Sequence, residues 1–131
     1  MNHPHPIAIV EQFMSFMEHL DYDQAMTLVT EDIEYTNIPM GTVHGPIGVR
    51  SVLEPFFAPT IANQWVIRST AVDGSTVFME RLDRHQLPGG WAELPVVGVF
   101  EIRDHKIAKW RDYFDMATIQ EGFAAFSGNA S

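Results

Sequence analysis

Three short stretches of this chain hold side chains suited to acid–base chemistry at close quarters. Arg81 and Asp83 stand two residues apart. Asp112 stands between Trp110 and Phe114 at alternate positions, and Tyr35 and Asn37 flank Thr36. In an extended chain alternate residues share one face. In Ser75–Leu87 the odd positions are Ser75, Val77, Met79, Arg81, Asp83, His85 and Leu87, so a guanidinium and a carboxylate interrupt a largely apolar face. The opposite face, with Phe78, Glu80, Leu82 and Arg84, is mixed rather than cleanly exposed. The last extended stretch is clearer. Ala108, Trp110, Asp112 and Phe114 oppose Lys109, Arg111, Tyr113 and Asp115, which puts Asp112 on the side to be buried. Ile33, Tyr35 and Asn37 likewise oppose Asp32 and Glu34.

Burying an unpaired carboxylate costs several kcal/mol. An arginine nearby offsets part of that cost through charge-assisted hydrogen bonds. One arginine cannot neutralise two ionised aspartates. If Arg81, Asp83 and Asp112 meet, the cheapest state is one guanidinium, one carboxylate and one carboxylic acid, with no net charge. That state holds an acid and a base in one pocket, the separation general acid–base catalysis needs. The two carboxyls would titrate jointly. An Arg–Asp pair on a sheet is also a common structural ion pair, and Tyr35 and Asn37 could cap a turn before Pro39, so the pattern alone leaves both readings open.

The elements that must position these groups are legible in outline. Pro6 suits a first helical turn, and Ile7, Val10, Phe13, Met14, Met17 and Leu20 recur at spacings of three and four. Asp21 or Asp23 caps a second short helix. Glu31–Ile38 reads as extended, Gly41–Gly48 as turn-rich, and Val49–Phe57 as a third helix that Pro55 kinks or ends. Four extended segments follow, about Asn63–Val72, Thr76–Leu87, Trp91–Arg103 and Lys106–Phe114. They are separated by Asp73-Gly74, Pro88-Gly89-Gly90 and Asp104-His105. Met116–Phe126 reads as a last helix capped by Asp115. Short connections make consecutive strands antiparallel neighbours. Helices followed by a curved meander predict an α+β domain with a pocket between the layers.

At IEYTNIP (Ile33–Pro39), ERLDR (Glu80–Arg84) and WRDYFD (Trp110–Asp115) the chain resembles the limonene-1,2-epoxide hydrolase family. That family lies within the cystatin-like cone shared by nuclear transport factor 2 and the SnoaL-type proteins. The order and spacing agree from the first helix to the last. The resemblance implies N-terminal helices on a strongly curved, mixed, mostly antiparallel sheet that encloses a pocket. It implies that Asp112 is the base for water and Asp83 the acid for the epoxide oxygen. Arg81 would bridge them, and Tyr35 and Asn37 would hold the water with Asp112. It implies no cofactor, a small apolar epoxide and water as reactants, and a homodimer. The nucleophile elbow of the α/β-hydrolase type of epoxide hydrolase is not found here.

Met14, Met17, Phe56, Trp65, His85, Leu94, Val96, Trp110 and Phe114 are candidates for the substrate pocket. Each is also an ordinary core residue by type, and His85 stands out as the polar one. The exposed sheet face, or Phe123 and Phe126 near the end, could make a dimer contact. The last helix could equally cover its own pocket mouth.

Composition narrows the remaining classes. The 131 residues fit one domain over 1–131, with loose tails expected at about 1–5 and 127–131. A net charge of −9 disfavours nucleic acid and anionic membranes. No apolar run approaches the roughly 20 residues of a membrane span, and MNHPHPIAIVEQF does not look like a secretory signal. The lack of cysteine agrees with a cytoplasmic location and removes thiolate chemistry. Of the six histidines, His3 and His5 fall in the expected loose tail, and His19, His44, His85 and His105 lie in different elements without metal-ligand spacing, so no metal is expected. Two other classes stay open at this point. One is an isomerase or polyketide-cyclase relative of the SnoaL and ketosteroid isomerase type. The other is a non-catalytic ligand-binding dimer module.

Overall fold

The computed structural model describes residues 5–38 and 40–126. Of the expected loose tails, 1–4 and 127–131 lie outside the described residues, as does Pro39. His5 belongs to the fold: its Nδ1 accepts from the backbone N–H of Ile7 at 3.1 Å and caps the first helix.

Helix α1 (Pro6–Glu18) buries Ile9, Val10, Phe13, Met14 and Met17 along one stripe. Helix α2 (Tyr22–Met26) is capped by Asp21, whose carboxylate accepts from the N–H of Gln24. Strand β1 (Val29–Ile38) buries Ile33, Tyr35 and Asn37 and turns Asp32 outward. The turn-rich stretch after it is in part a strand, β2 (Gly41–His44), paired antiparallel with β1. Helix α3 therefore begins at Gly45, with Pro46 in its first turn, and runs to Phe57. Pro55 neither ends nor delays it. Proline removes the N–H that would bond one turn back, and tertiary packing of Val49, Leu53 and Phe57 carries the helix through.

Strands β3 (Ala62–Asp73), β4 (Thr76–Leu87), β5 (Gly90–Arg103) and β6 (Lys106–Tyr113) form the expected meander. The β5–β6 turn places both Asp104 (φ 53°) and His105 (φ 62°) in the left-handed region, as a two-residue hairpin loop demands. The six-stranded sheet has the order β2-β1-β6-β5-β4-β3. Only the β1–β6 pair is parallel, so the sheet is mixed and mostly antiparallel. It does not close into a barrel; β2 and β3 are its edges. Register shifts in β1, β3, β5 and their partners bend and twist it.

The inner face of the sheet carries the core. Trp110 is fully buried, stacked on Tyr35 (4.1 Å between ring centres) and Phe100 (5.7 Å), with Phe13 of α1 edge-on at 5.2 Å. Helix α1 lies over β3, β4 and β6, and α3 lies against β1. At the edge of the sheet, the backbone N–H of Trp65 on β3 donates to Glu18 at the end of α1 at 2.8 Å. Helix α4 (Met116–Phe126) follows Asp115, which accepts from the Thr118 hydroxyl at 2.7 Å, and packs back on β5. No described helix is long and apolar enough to cross a membrane.

Candidate active site

Strand pairing brings the polar residues of three strands to one place. In the parallel β1–β6 pair, Asn37 is opposite Asp112 and Tyr35 opposite Trp110. In the β5–β6 pair, Gly98 is opposite Asp112. Arg81 lies on β4, with the whole of β5 between it and Asp112. Neighbouring strands stand roughly 4.8 Å apart, so the gap is about 10 Å, within reach of an arginine but not of a shorter side chain.

Arg81 spans that gap. Its Nε and Nη2 donate to the two oxygens of Asp83 at 2.9 and 3.0 Å, and its Nη1 and Nη2 donate to the two oxygens of Asp112 at 3.2 and 3.0 Å. Four of its five N–H groups are thus spent on two carboxylates. The trio is buried: Arg81 is 1% exposed, and Asp83 and Asp112 are 5% each. Asp112 takes a further hydrogen bond, from Trp110 Nε1 at 2.7 Å. The Trp65 ring covers the guanidinium at 4.9 Å.

Burial pulls the pKa of Arg81 down, but the charges of Asp112 and Asp83 outweigh it and raise the value above that of an ordinary arginine. The guanidinium is a fixed cation. Burial raises the pKa of Asp112, and the charge and hydrogen bonds of Arg81 oppose the rise only in part. Asp112 thus holds a proton to higher pH than a surface aspartate does. Burial also raises the pKa of Tyr35, so its phenol is neutral. Its hydroxyl donates to Asn37 Oδ1 at 3.0 Å. That bond leaves a lone pair on the Tyr35 oxygen and both N–H groups of Asn37 for a third party.

These groups open into a cavity of about 310 Å³, near the lower end of small-molecule sites. Tyr35, Asn37, Asp83 and Asp112 line it, and so do Phe56, Trp65, His85, Leu94, Val96 and Phe114. Three of the expected pocket residues are placed elsewhere. Met14 and Met17 face the sheet from α1 and are consumed in packing its core. Trp110 lies beneath Asp112, where it orients the carboxylate rather than meeting a ligand. Met40, Val52, Leu53, Phe57 and Ile119 line the cavity and were not foreseen, since helical and loop residues give no alternation from which to assign a face. Phe123 packs on Phe56 (5.0 Å) and His85 (5.8 Å) of its own chain, so α4 closes one side of the cavity. Among the described residues no group of three or more His, Asp or Glu side chains is placed to hold a metal.

Two residues that support the site also escaped the sequence reading. A Cβ on Gly98 would stand 2.6 Å from Arg81 Nη1 and 3.0 Å from Asp112 Oδ1. The missing side chain is the passage through which Arg81 crosses β5. A glycine inside a strand signals such a close approach, and this one was available to be read. Asn63, on β3 opposite His85, bonds the imidazole Nδ1 through its Oδ1 at 2.7 Å.

The fold and this site define the class. The chain belongs to the limonene-1,2-epoxide hydrolase family, whose catalytic-domain model matches residues 4–125. It is 28% identical over 113 residues to the epoxide hydrolase EphG of Mycobacterium tuberculosis (strain ATCC 25618 / H37Rv), spanning 86% of this chain and 75% of that protein. Among solved structures it resembles an M. tuberculosis LEH-like epoxide hydrolase, with a TM-score of 0.79 at 26% identity, covering 92% of this chain and 90% of that one. A putative SnoaL-like polyketide cyclase from Shewanella putrefaciens CN-32 shares the fold, with a TM-score of 0.82 at 16% identity over 94% and 98% of the two chains.

Gly98→Ala will drive the guanidinium off Asp112 and lower unfolding free energy by about 1–3 kcal/mol, the usual cost of overpacking a core; urea denaturation reads this directly. His85 supplies a pH signature. Burial lowers its pKa from 6.5 to about 4, so the unfolded chain binds its proton first and stability falls as pH drops from about 6.5 to about 4. The shift corresponds to about 3 kcal/mol. His85→Leu will lack this component, so its stability will change less than the wild type's across that window in the same urea titration.

Proposed function

We propose that this chain hydrates small apolar epoxides to vicinal diols in one step, with no cofactor and no covalent intermediate. The observation that carries the reading is the single guanidinium bonded to both carboxylates inside an apolar cavity. Hydrolysis at an oxirane needs a base for water and an acid for the departing oxygen, both present at once. Ring strain supplies much of the driving force.

The hydrogen bonds support an assignment of roles. Asp112 receives three hydrogen bonds and Asp83 two, and donors favour the ionised form of the group they address. The family resemblance assigns the base role to Asp112 and the acid role to Asp83, and this count of donors supports that assignment. A water between them and the β1 pair donates one hydrogen to Asp112 and the other to the Tyr35 oxygen, and accepts from Asn37 Nδ2. Its oxygen attacks an oxirane carbon while that carbon's bond to the ring oxygen breaks. Asp83 gives its proton to the leaving oxygen, and Asp112 takes one from the water. The products are the diol and a trio whose proton has moved from Asp83 to Asp112; return of that proton restores the starting state. Each placed acid or base contributes about 10²–10⁴-fold, and fixing the water adds an orientational gain.

An isomerase or cyclase on the same scaffold needs one base and an oxyanion partner. It has no use for an arginine clamped between two aspartates. A ligand-binding module has no use for a buried charge set at all. The reading extends to a homodimer joined through the outer sheet face, where Phe78, Val97 and Tyr113 are exposed. Phe123 is already engaged within its own chain.

Cyclohexene oxide, styrene oxide and limonene oxide, each tested with chromatographic detection of diol, examine the activity. Asp112→Asn and Asp83→Asn will each cut diol formation by at least 10³-fold while the protein stays folded by circular dichroism, since either loss removes an acid or a base. Arg81→Ala will lose both activity and stability, because two buried carboxyls then lack their cation. In a single turnover in ¹⁸O-labelled water the label will enter the diol at once. Label appearing first in the protein would mean an ester route and contradict the one-step reaction.

A further inference from the structure

The hydration chemistry leaves the buried imidazole of His85 unused. His85 is 2% exposed, lines the cavity, and is ringed by Phe56 (5.5 Å), Phe57 (5.4 Å) and Phe123 (5.8 Å). Its surroundings fix both its charge and its tautomer. The Thr60 hydroxyl donates to the Phe57 carbonyl at 2.6 Å, so its oxygen is left to accept. Asn63 Nδ2 donates to that oxygen at 2.9 Å. The amide is therefore held with Oδ1 toward His85, and an acceptor at 2.7 Å requires that Nδ1 carry the hydrogen. The imidazole is neutral above about pH 4, because burial lowers its pKa. With Nδ1 protonated, Nε2 bears the lone pair.

Nε2 has no hydrogen-bond partner among the described residues, and it is not among the side-chain atoms sealed from solvent without a partner. On a ring this buried and lining this cavity, the accessible side of Nε2 is the cavity side. His85 lies two residues beyond Asp83 on the same face of β4, roughly 7 Å along the strand. The cavity thus has one reactive end and, beyond it, one isolated acceptor set among aromatic rings.

We propose that His85 Nε2 selects epoxides carrying a hydroxyl on the far side of the molecule from the oxirane, accepting a hydrogen bond from that hydroxyl. The proposal rests on the epoxide-hydrolase reading and narrows its substrate class from hydrocarbon epoxides to epoxy alcohols. An acceptor held by a relay through Asn63 and Thr60 pays little to be ordered on binding. An all-hydrocarbon substrate leaves it without a partner in a desolvated site, a loss that buried polar groups register.

The test compares two epoxides of matched shape: cyclohexene oxide bearing a hydroxymethyl group across the ring from the oxirane, and its ethyl counterpart. The wild type will show a kcat/KM about fivefold to tenfold higher for the hydroxymethyl compound. In His85→Leu the ratio will fall to about one or below, whatever the absolute rates. Imidazole ¹⁵N spectra of the wild type give a reading independent of turnover. They will show Nδ1 protonated, and the Nε2 resonance will move on adding the diol of the hydroxymethyl compound but not that of the ethyl compound. Equal kcat/KM for both epoxides in the wild type, a preference that survives in His85→Leu, or protonation at Nε2 overturns the proposal. If neither epoxide yields diol, the hydration reading fails, and the spectra still decide whether His85 receives a hydroxyl.

Discussion

The site depends on one guanidinium serving two carboxylates away from water. Taking three ionised groups into a core is expensive, and mutual attraction repays the cost only when the hydrogen-bond geometry is good. Here Arg81 meets both carboxylates in paired fashion, and an indole N–H adds a third hydrogen bond to Asp112. The cluster would be electrically neutral with one proton held by the pair, the state the proposed mechanism uses. That same neutral state would hold an acid beside a base.

Much of the fold can be understood as support for that arrangement. Trp110 is wedged between Tyr35, Phe100 and Phe13, which fixes the direction of its N–H. The parallel β1–β6 pair sets Asn37 beside Asp112. Gly98 clears the passage for the guanidinium across β5, and Trp65 lids it. Helices α3 and α4 then close an apolar space over the polar floor. Arg81 and Asp112, Asn37 and Asp112, and Phe56 and Phe123 are far apart in sequence, so the site exists only in the assembled sheet.

The alternation of β4 and β6 made Arg81, Asp83 and Asp112 visible in the sequence because a strand gives each residue a face. Aspartate between two aromatics is a strong signal where the other side is Lys, Arg and Tyr. Helix α1 showed its stripe equally well, but a stripe does not say what it will face, and Met14 and Met17 met sheet rather than cavity. Gly41–Gly48 read as turn-rich because of its three glycines and a proline; pairing with β1 makes Gly41–His44 a strand. The partner of β1 was not legible, since a parallel neighbour arises from a crossover of the whole chain rather than from a local turn. Asn63 gave no warning either, for its role is defined only by the strand register that sets it opposite His85.

The central claim is that the two buried carboxyls share a single proton at neutral pH. Carbon-13 labelling of the aspartate side-chain carboxyls reads this directly, with the two resonances assigned from Asp83→Asn and Asp112→Asn. At neutral pH one of the pair will resonate as a carboxylic acid and the other as a carboxylate, and the acid form will vanish only on titration well above the range of surface aspartates. Two ionised carboxylates at neutral pH would contradict the account, because the site would then hold a base with no acid.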